Sequence, residues 1–472
     1  MKKIKISELP LYSSLKGLYT LGTDSANRSV KVSMEFVEDT ATEVTKAAIA
    51  SMLPDAEYLC SYGIERDITI SSPTCTRVGN AELHKTLPIQ SKMRGCLLDD
   101  DGNVVEYLDS KSWTAATRDG SKGQVMVEIP KHYRKFSYDG NIMSVRISEL
   151  PLEGYHIVPK MYVSAYEAAF DRTNNMLASV VNDTARYRGG SNQSEYDGTY
   201  RSFLGRPISG YNRTDFRTLA RNRKSGSTEW NIMTYDAQKT LFWLFVIEYA
   251  TLNTQAAYNS KLTDEGYHQG GLGAGVTKMT DWSSYNSKYP FIPCGASDSL
   301  GNRSGQIYHK VVASDGTSTH YSAPVPRYRG VENPFGHLWK WVDGIDIQII
   351  GGSEGLSKIY VCSDPAKFQD SISDDYTYVG DEARSDGYVK NIVGGEYGEI
   401  MPKELGGGST TYYCDYHMTH IPSVGEEKTR AVMYGGNADA GDFCGLTLAI
   451  TFYEANTALQ FTGTRLCFIP TT

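Results

Sequence analysis

The stretch on which the fold turns is VENPFGHLWKWVDGI, residues Val331–Ile345. Trp339 and Trp341 stand two residues apart, so on an extended segment both indoles point to one face. Two such rings, each burying ~150–250 Å2, are expected in the core, where they pin long loops to a sheet. Downstream, LTLAITFY (Leu446–Tyr453) alternates as a strand. Leu446, Leu448, Ile450 and Phe452 are expected to face the core, and Thr447, Ala449, Thr451 and Tyr453 the opposite side. GTRLCFIP (Gly463–Pro470) reads as the closing strand. Residues 264–440 are rich in Gly runs such as YHQGGLGAGV and ELGGGSTT, and are expected to be dominated by loops; long loops in a compact body often carry function.

Upstream, YDAQKTLFWLFVIEYATLN is apolar on all sides and reads as a buried helix, with Asp236 near its N-terminus. CLLDDDGNVVEYLD (Cys96–Asp109) reads as a hairpin turning at Asp101-Gly102-Asn103, GQVMVEIP (Gly123–Pro130) as an alternating strand, and KHYRKFSYDGNIMSVRIS as a hairpin turning at Asp139-Gly140. Residues 42–53 suit a short helix stopped by Pro54. KVSMEFV (Lys31–Val37) suits one strand that cannot close a core alone. The expected class is α+β: a short extended N-terminal anchor (1–54), a β-rich module (55–150) and a large loop-rich domain (151–472).

The chain has 472 residues and a formal charge of −8, from 55 acidic and 47 basic side chains. That balance argues against nucleic acid and anionic membrane as partners. No run of ~20 apolar residues is present to insert in a membrane, and MKKIKISELPLYSSLKG lacks the apolar core of a signal peptide. The 33 tyrosines and 45 glycines suit β-structure with ordered loops, and Tyr is the residue that contact surfaces favour. Cys60, Cys75, Cys96, Cys294, Cys362, Cys414, Cys444 and Cys467 are scattered without a C-x-x-C pair. Reduced, buried thiols are therefore expected, as in a protein assembled in a bacterial cytoplasm.

Neither a metal nor a cofactor is expected. Cys414, His417 and His420 are spaced by three, but on a strand His417 and His420 point to opposite faces, and a fourth ligand is missing. The run Asp99-Asp100-Asp101 is what a hairpin turn selects. GGLGAGV lacks the Lys-Ser/Thr of a phosphate cradle. Acidic pairs such as Glu195 and Asp197 are indistinguishable from solvated loop charges, which leaves a polysaccharide-degrading enzyme open.

Three of these stretches together carry a family resemblance. Asn333, Gly336, Trp339 and Trp341 resemble the N-x-[FWY]-G-x-[LV]-W-[EK]-W signature of the formylglycine-generating-enzyme branch of the C-type lectin fold. YGGNADAG (Tyr434–Gly441), with Gly435 and Gly436, resembles that branch's R-G-G turn, and GTRLCFIP, with Arg465, its closing strand. Residues Met93–Ala168 are similar to a module common in phage fibre proteins, and the N-terminal KISELPLYSSLKGLYTLGTDSANRSVKVSM resembles the opening of virion structural proteins. The resemblance implies a C-type-lectin-like domain over 151–472 in a bacteriophage head or tail fibre. Such a fibre would be a homotrimer on the particle surface, held to other virion proteins through residues 1–54 and binding a host-surface glycan or protein. It also implies a contact window of Asn437, Asp439, Asp442, Phe443, Thr447, Thr451, Tyr453 and Glu454, the window that related phage proteins diversify. Oxidising members of the branch hold copper with two cysteines after the R-G-G turn. Only Cys444 stands there, and one thiol makes no bis-thiolate site, so no enzyme is expected. A capsid-decorating fibre without a receptor and a formylglycine-type or depolymerising enzyme are the rival readings.

Overall fold

The computed structural model describes the backbone of residues 19–23 and 29–33, and residues 43–48, 50–53, 55–198 and 200–470. Residues 43–48 and 50–52 are helical, as expected. The expected strand Lys31–Val37 is described only to residue 33, within a strand Ser29–Ser33 paired to Tyr19–Thr23; the rest of the anchor lies outside the described residues. Across the described residues the chain is rich in β-structure, with few helices.

Local signals placed the hairpins correctly. Arg94–Leu98 and Val104–Tyr107 pair antiparallel, and the Asp99 carboxylate accepts the Asn103 N–H at 2.7 Å to close the turn. His132–Asp139 and Ile142–Ser148 pair across Asp139-Gly140. Gln124–Ile129, expected to alternate, is buried along its whole length. It is an interior strand with both faces covered, a setting that suits a continuous apolar run.

Two sheets organise the body. The first, of six strands, runs in the order Trp230–Ile232, Leu466–Phe468, Met161–Ser164, Gln124–Ile129, Arg94–Leu98, Val104–Tyr107. The second, of nine strands, runs Thr377–Asp381, Ser357–Val361, Trp339–Ile350, Glu427–Gly435, Gly445–Thr451, Tyr416–Thr419, Gly387–Gly394, Glu399–Leu405, with Thr462–Gly463 pairing parallel to Trp339–Lys340. One expectation is corrected here. The boundary at 150/151 is not a break, because strands from both sides of it share the first sheet and one apolar core runs from Tyr62 to Phe468. The stretch 264–440 keeps its loops, with no strand before Gly305, and carries strands between them from Gly305 onward. The last two strands lie in different sheets, since residues 452–465 carry the chain from one to the other.

The helix Tyr235–Tyr249 packs against the second sheet and against the strands Ser61–Asp67 and Ile142–Ser148, with only Asp236 not buried. Thr234 caps its start by accepting the Ala237 N–H, and Asp236 lies in its first turn. Its polar side chains are matched inside: Gln238 donates to Leu446 O (2.7 Å), Trp243 to Gly398 O (2.8 Å), and Lys239 pairs with Glu399 (3.0 Å).

Trp341 is fully buried and Trp339 nearly so, as the sequence suggested. Arg465, also buried, donates to the carbonyls of Ser164 (3.1 Å), Asn333 (2.6 Å) and Glu332. Thr464 donates to Trp341 O (2.9 Å), and Leu466 N–H to Ser164 Oγ (3.1 Å). Gly336 N–H donates to Gly435 O at 3.0 Å, joining the tryptophan segment to the glycine turn. At Gly436 φ is +81°, and a Cβ would lie 2.3 Å from Cys444 Sγ and 2.8 Å from Leu448 Cδ2. Gly441, with φ +59°, has open space around it. Gly436→Ala therefore combines backbone strain with overpacking and is expected to cost about 3–5 kcal/mol, against about 1 kcal/mol for Gly441→Ala. Urea unfolding of the two variants checks this, and equal losses would refute the fit described at Gly436.

Candidate functional site

The glycine turn feeds the strand Gly445–Thr451, and this strand is buried at every position. Thr447, Ala449 and Thr451, expected on a displayed face, are shut away from solvent. Thr447 donates through N–H (2.8 Å) and Oγ (2.7 Å) to the Asp415 carboxyl. Thr451 donates to Glu382 at 3.0 Å, and Thr419 to the same carboxyl at 3.4 Å. Gly445 completes the fit, since a Cβ there would sit 1.9 Å from Asp415 Oδ1. The small polar residues on this face match buried carboxyls beneath them and present nothing to a partner. Burial raises the pKa of both Asp415 and Glu382 to about 8. His417 lies between them, buried, 3.2 Å from the carbonyls of Ala449 and Ala383; burial holds its pKa down to about 4, so it is neutral.

At the far end alternation fails because the strand stops at Thr451. Phe452, expected in the core, is exposed and lies against His420, while Tyr453 is half-buried. Glu454 faces Arg430 at 3.4 Å. The seven-residue strand puts this end roughly 20 Å from the turn, at about 3.3 Å per residue. The eight expected contact residues therefore do not form one site. Within the turn, Asn437 is buried, with its carbonyl accepting the Cys444 thiol (3.6 Å) and the Ala440 N–H (3.3 Å). Asp439 pairs with Lys288 and Asp442 with Lys278, both at 2.9 Å. Cys444 itself is buried, and burial pushes its thiol well above the ordinary value, the state of an inert cysteine.

What the turn does display is an aromatic cluster. Phe443 stacks on Tyr416, with centroids 4.3 Å apart and an interplanar angle of 21°. Tyr388 meets both rings edge-on, at 5.0 Å from Tyr416 and 5.6 Å from Phe443. All three are half-buried. Tyr388 and Tyr416 are directly opposed across neighbouring strands, the arrangement in which cross-strand aromatic pairs form. The Gly-rich loop of 405–411 borders the cluster, held by Gly406 and Gly407 N–H donating to Tyr388 O, both at 3.1 Å. Burial raises the Tyr388 phenol above its usual range, offset in part by a hydrogen bond with Ser409. Asp442 and Phe443 were legible as candidates; Tyr388 and Tyr416 were not. The only signals for them were the abundance of Tyr and the position of ELGGGSTT.

Among the described residues no group of three or more His, Cys, Asp or Glu is placed to hold a metal ion. No helix among them is long and apolar enough to cross a membrane.

No family model matches the sequence, and no curated protein does. Solved structures with some likeness include Treponema denticola variable protein 1, at 10% identity over 74% of this chain and 95% of that one with a TM-score of 0.27. Another is the Major Tropism Determinant U1 variant, at 10% identity over 97% and 96% of the two chains with a TM-score of 0.20. At these scores neither likeness carries an argument about this chain.

The buried carboxyls make stability depend on pH. In an unfolded chain they titrate near ~4, so above that pH the folded protein keeps protons that the unfolded chain has lost. Their contribution is complete below pH ~4 and is lost as pH rises toward 8. Asp415→Asn and Glu382→Gln remove the titration, so each variant should gain on the parent by on the order of 1 kcal/mol per pH unit between pH 5 and 8. Denaturation at a series of pH values measures it, and parallel profiles would contradict the assignment.

Proposed function

We propose that this chain is a bacteriophage virion adhesin that binds the host surface through the Tyr388–Tyr416–Phe443 cluster. The observation that carries this reading is that three packed aromatic rings stand at the surface of a sheet whose neighbouring strand is buried throughout. Large, stiff rings already held by one another lose little entropy on contact. A partner covering them removes apolar area from water, and hydroxyls, Asp442 and Lys278 at the edge supply polar complementarity. The matching chemistry is a host glycan, whose sugar faces stack on aromatic rings, or a protein patch of similar character.

The resemblances of Val331–Ile345, Tyr434–Gly441 and Gly463–Pro470 support the lectin-like part of this reading, and those of Met93–Ala168 and the N-terminal segment the virion part. On that basis residues 1–54 attach the protein to a head or tail component, the particle carries it as a homotrimer, and it acts by binding rather than catalysis. The buried Cys444 and the ion-paired Asp439 and Asp442 favour binding over chemistry.

Phage carrying Tyr388→Ala with Tyr416→Ala should adsorb to host cells at least tenfold more slowly, while the purified variant keeps its circular dichroism and particles keep their content of this protein. Adsorption at the parental rate would refute the contact surface and leave a decoration role. A chain lacking residues 1–54 should be absent from purified particles; its incorporation would refute the anchor.

A further inference from the structure

A second site lies against the smaller apolar cluster that contains Trp282, Phe291 and Ala438. A cleft of about 120 Å3 opens there, walled by Tyr200 and Tyr285, whose rings meet edge-on at 5.9 Å. Arg201, Arg206, His309 and Lys310 are among the residues that line it. Arg201 and Lys310 are engaged in part: Arg201 donates to Tyr285 O at 2.9 Å and Lys310 to Thr317 O at 2.6 Å.

Arg206 is different. Its backbone is fixed, with its N–H donating to Phe203 O at 3.1 Å and the preceding Gly205 carbonyl accepting Cys294 N–H at 3.0 Å. Its guanidinium makes no hydrogen bond or ion pair with any described residue, and Nε is shut off from solvent with no acceptor. Burial brings its pKa down to about 10, and no carboxylate offsets this. The guanidinium stays charged at neutral pH and offers a planar fork of donors. The residue as a whole is half-buried, so without a counter-ion from the protein its remaining donors are left to solvent or to an anion from outside. The ring of His309 next to it has no hydrogen-bond partner among the described residues, and burial followed by the charge of Arg206 lowers its pKa to about 4, so it is neutral and offers an N–H.

We propose that this cleft is an oxyanion-binding site, in which Arg206 takes a sulfate, phosphate or carboxylate group, with His309 and Lys310 completing the cradle. Its volume lies well below the ~300–1,000 Å3 of pockets that enclose drug-sized ligands, so it holds one small anionic group. The group is either a free inorganic anion or the acidic substituent of a sugar whose ring rests outside, against Tyr200 and Tyr285. The site stands apart from the aromatic cluster and does not depend on that cluster's role.

Calorimetric titration of the full chain with inorganic sulfate, methyl glucuronide and methyl glucoside tests it. The two anions should bind and the neutral sugar should not. Arg206→Met should weaken both anions at least tenfold, and without ligand it should unfold at no lower temperature than the parent, because an uncompensated charge has been removed. Lys310→Ala, an exposed residue whose change leaves the fold intact, should weaken both anions several-fold. Tighter binding of the glucuronide than of sulfate would identify an acidic sugar as the source, and the reverse a free oxyanion; either supports the site. No heat with either anion, or affinities unchanged in both variants, would overturn it.

Discussion

The buried guanidinium of Arg465 is the constraint on which the rest of the molecule depends. It draws the carbonyls of Ser164 and of the neighbours Glu332 and Asn333 onto one charged group, so that three segments, each more than a hundred residues from the others in the chain, meet there. A charge in the interior is tolerated only when its donors are met, so the three segments must arrive together. Their meeting sets Leu466–Phe468 beside Met161–Ser164 and places the tryptophan strand against Thr462–Gly463. Glu167 reinforces the same junction from three residues past the pairing strand, pairing with His337 at 2.5 Å and Lys340 at 3.0 Å. The two sheets are therefore coupled through hydrogen-bonded charge as well as through the indoles of Trp339 and Trp341.

From that junction the exposed surface follows. The tryptophan strand and Glu427–Gly435 fix the level at which the chain turns through Gly435 and Gly436. The next strand is then sealed by Asp415 and Glu382 on its polar side. Polar residues on a strand usually mark its wet face, but here each finds a buried partner instead. Display passes to the strand ends and loops, where Phe443 closes over Tyr416.

Much of the local structure was legible in the sequence. The hairpins at Asp101-Gly102-Asn103 and Asp139-Gly140, the apolar helix before Tyr249 and the burial of both indoles depend on neighbours in the chain, and they read correctly. What depends on distant partners did not. Alternation in Leu446–Tyr453 separates two faces but does not say that both are covered, because the carboxyls that cover one side come from residues 382 and 415. Nothing in the sequence around the expected boundary at 150/151 signals that the last strand returns to pair with the first half of the chain. Tyr388 and Tyr416 are brought together only by strand pairing, and neither stands in a motif. Gly runs marked loops between 264 and 440 but gave no sign of the strands that alternate with them from Gly305 onward.

The central claim is that the partner-facing surface is the aromatic cluster at the end of a sealed strand. Hydroxyl-radical footprinting of the protein on isolated host cell envelopes tests it most directly, since it reads aromatic side chains one by one. The account predicts that oxidation of Tyr388, Tyr416 and Phe443 falls on binding while that of Phe452, Tyr453 and Tyr308 is unchanged. Undiminished oxidation of the three clustered rings, with protection at Phe452 and Tyr453 instead, would contradict it.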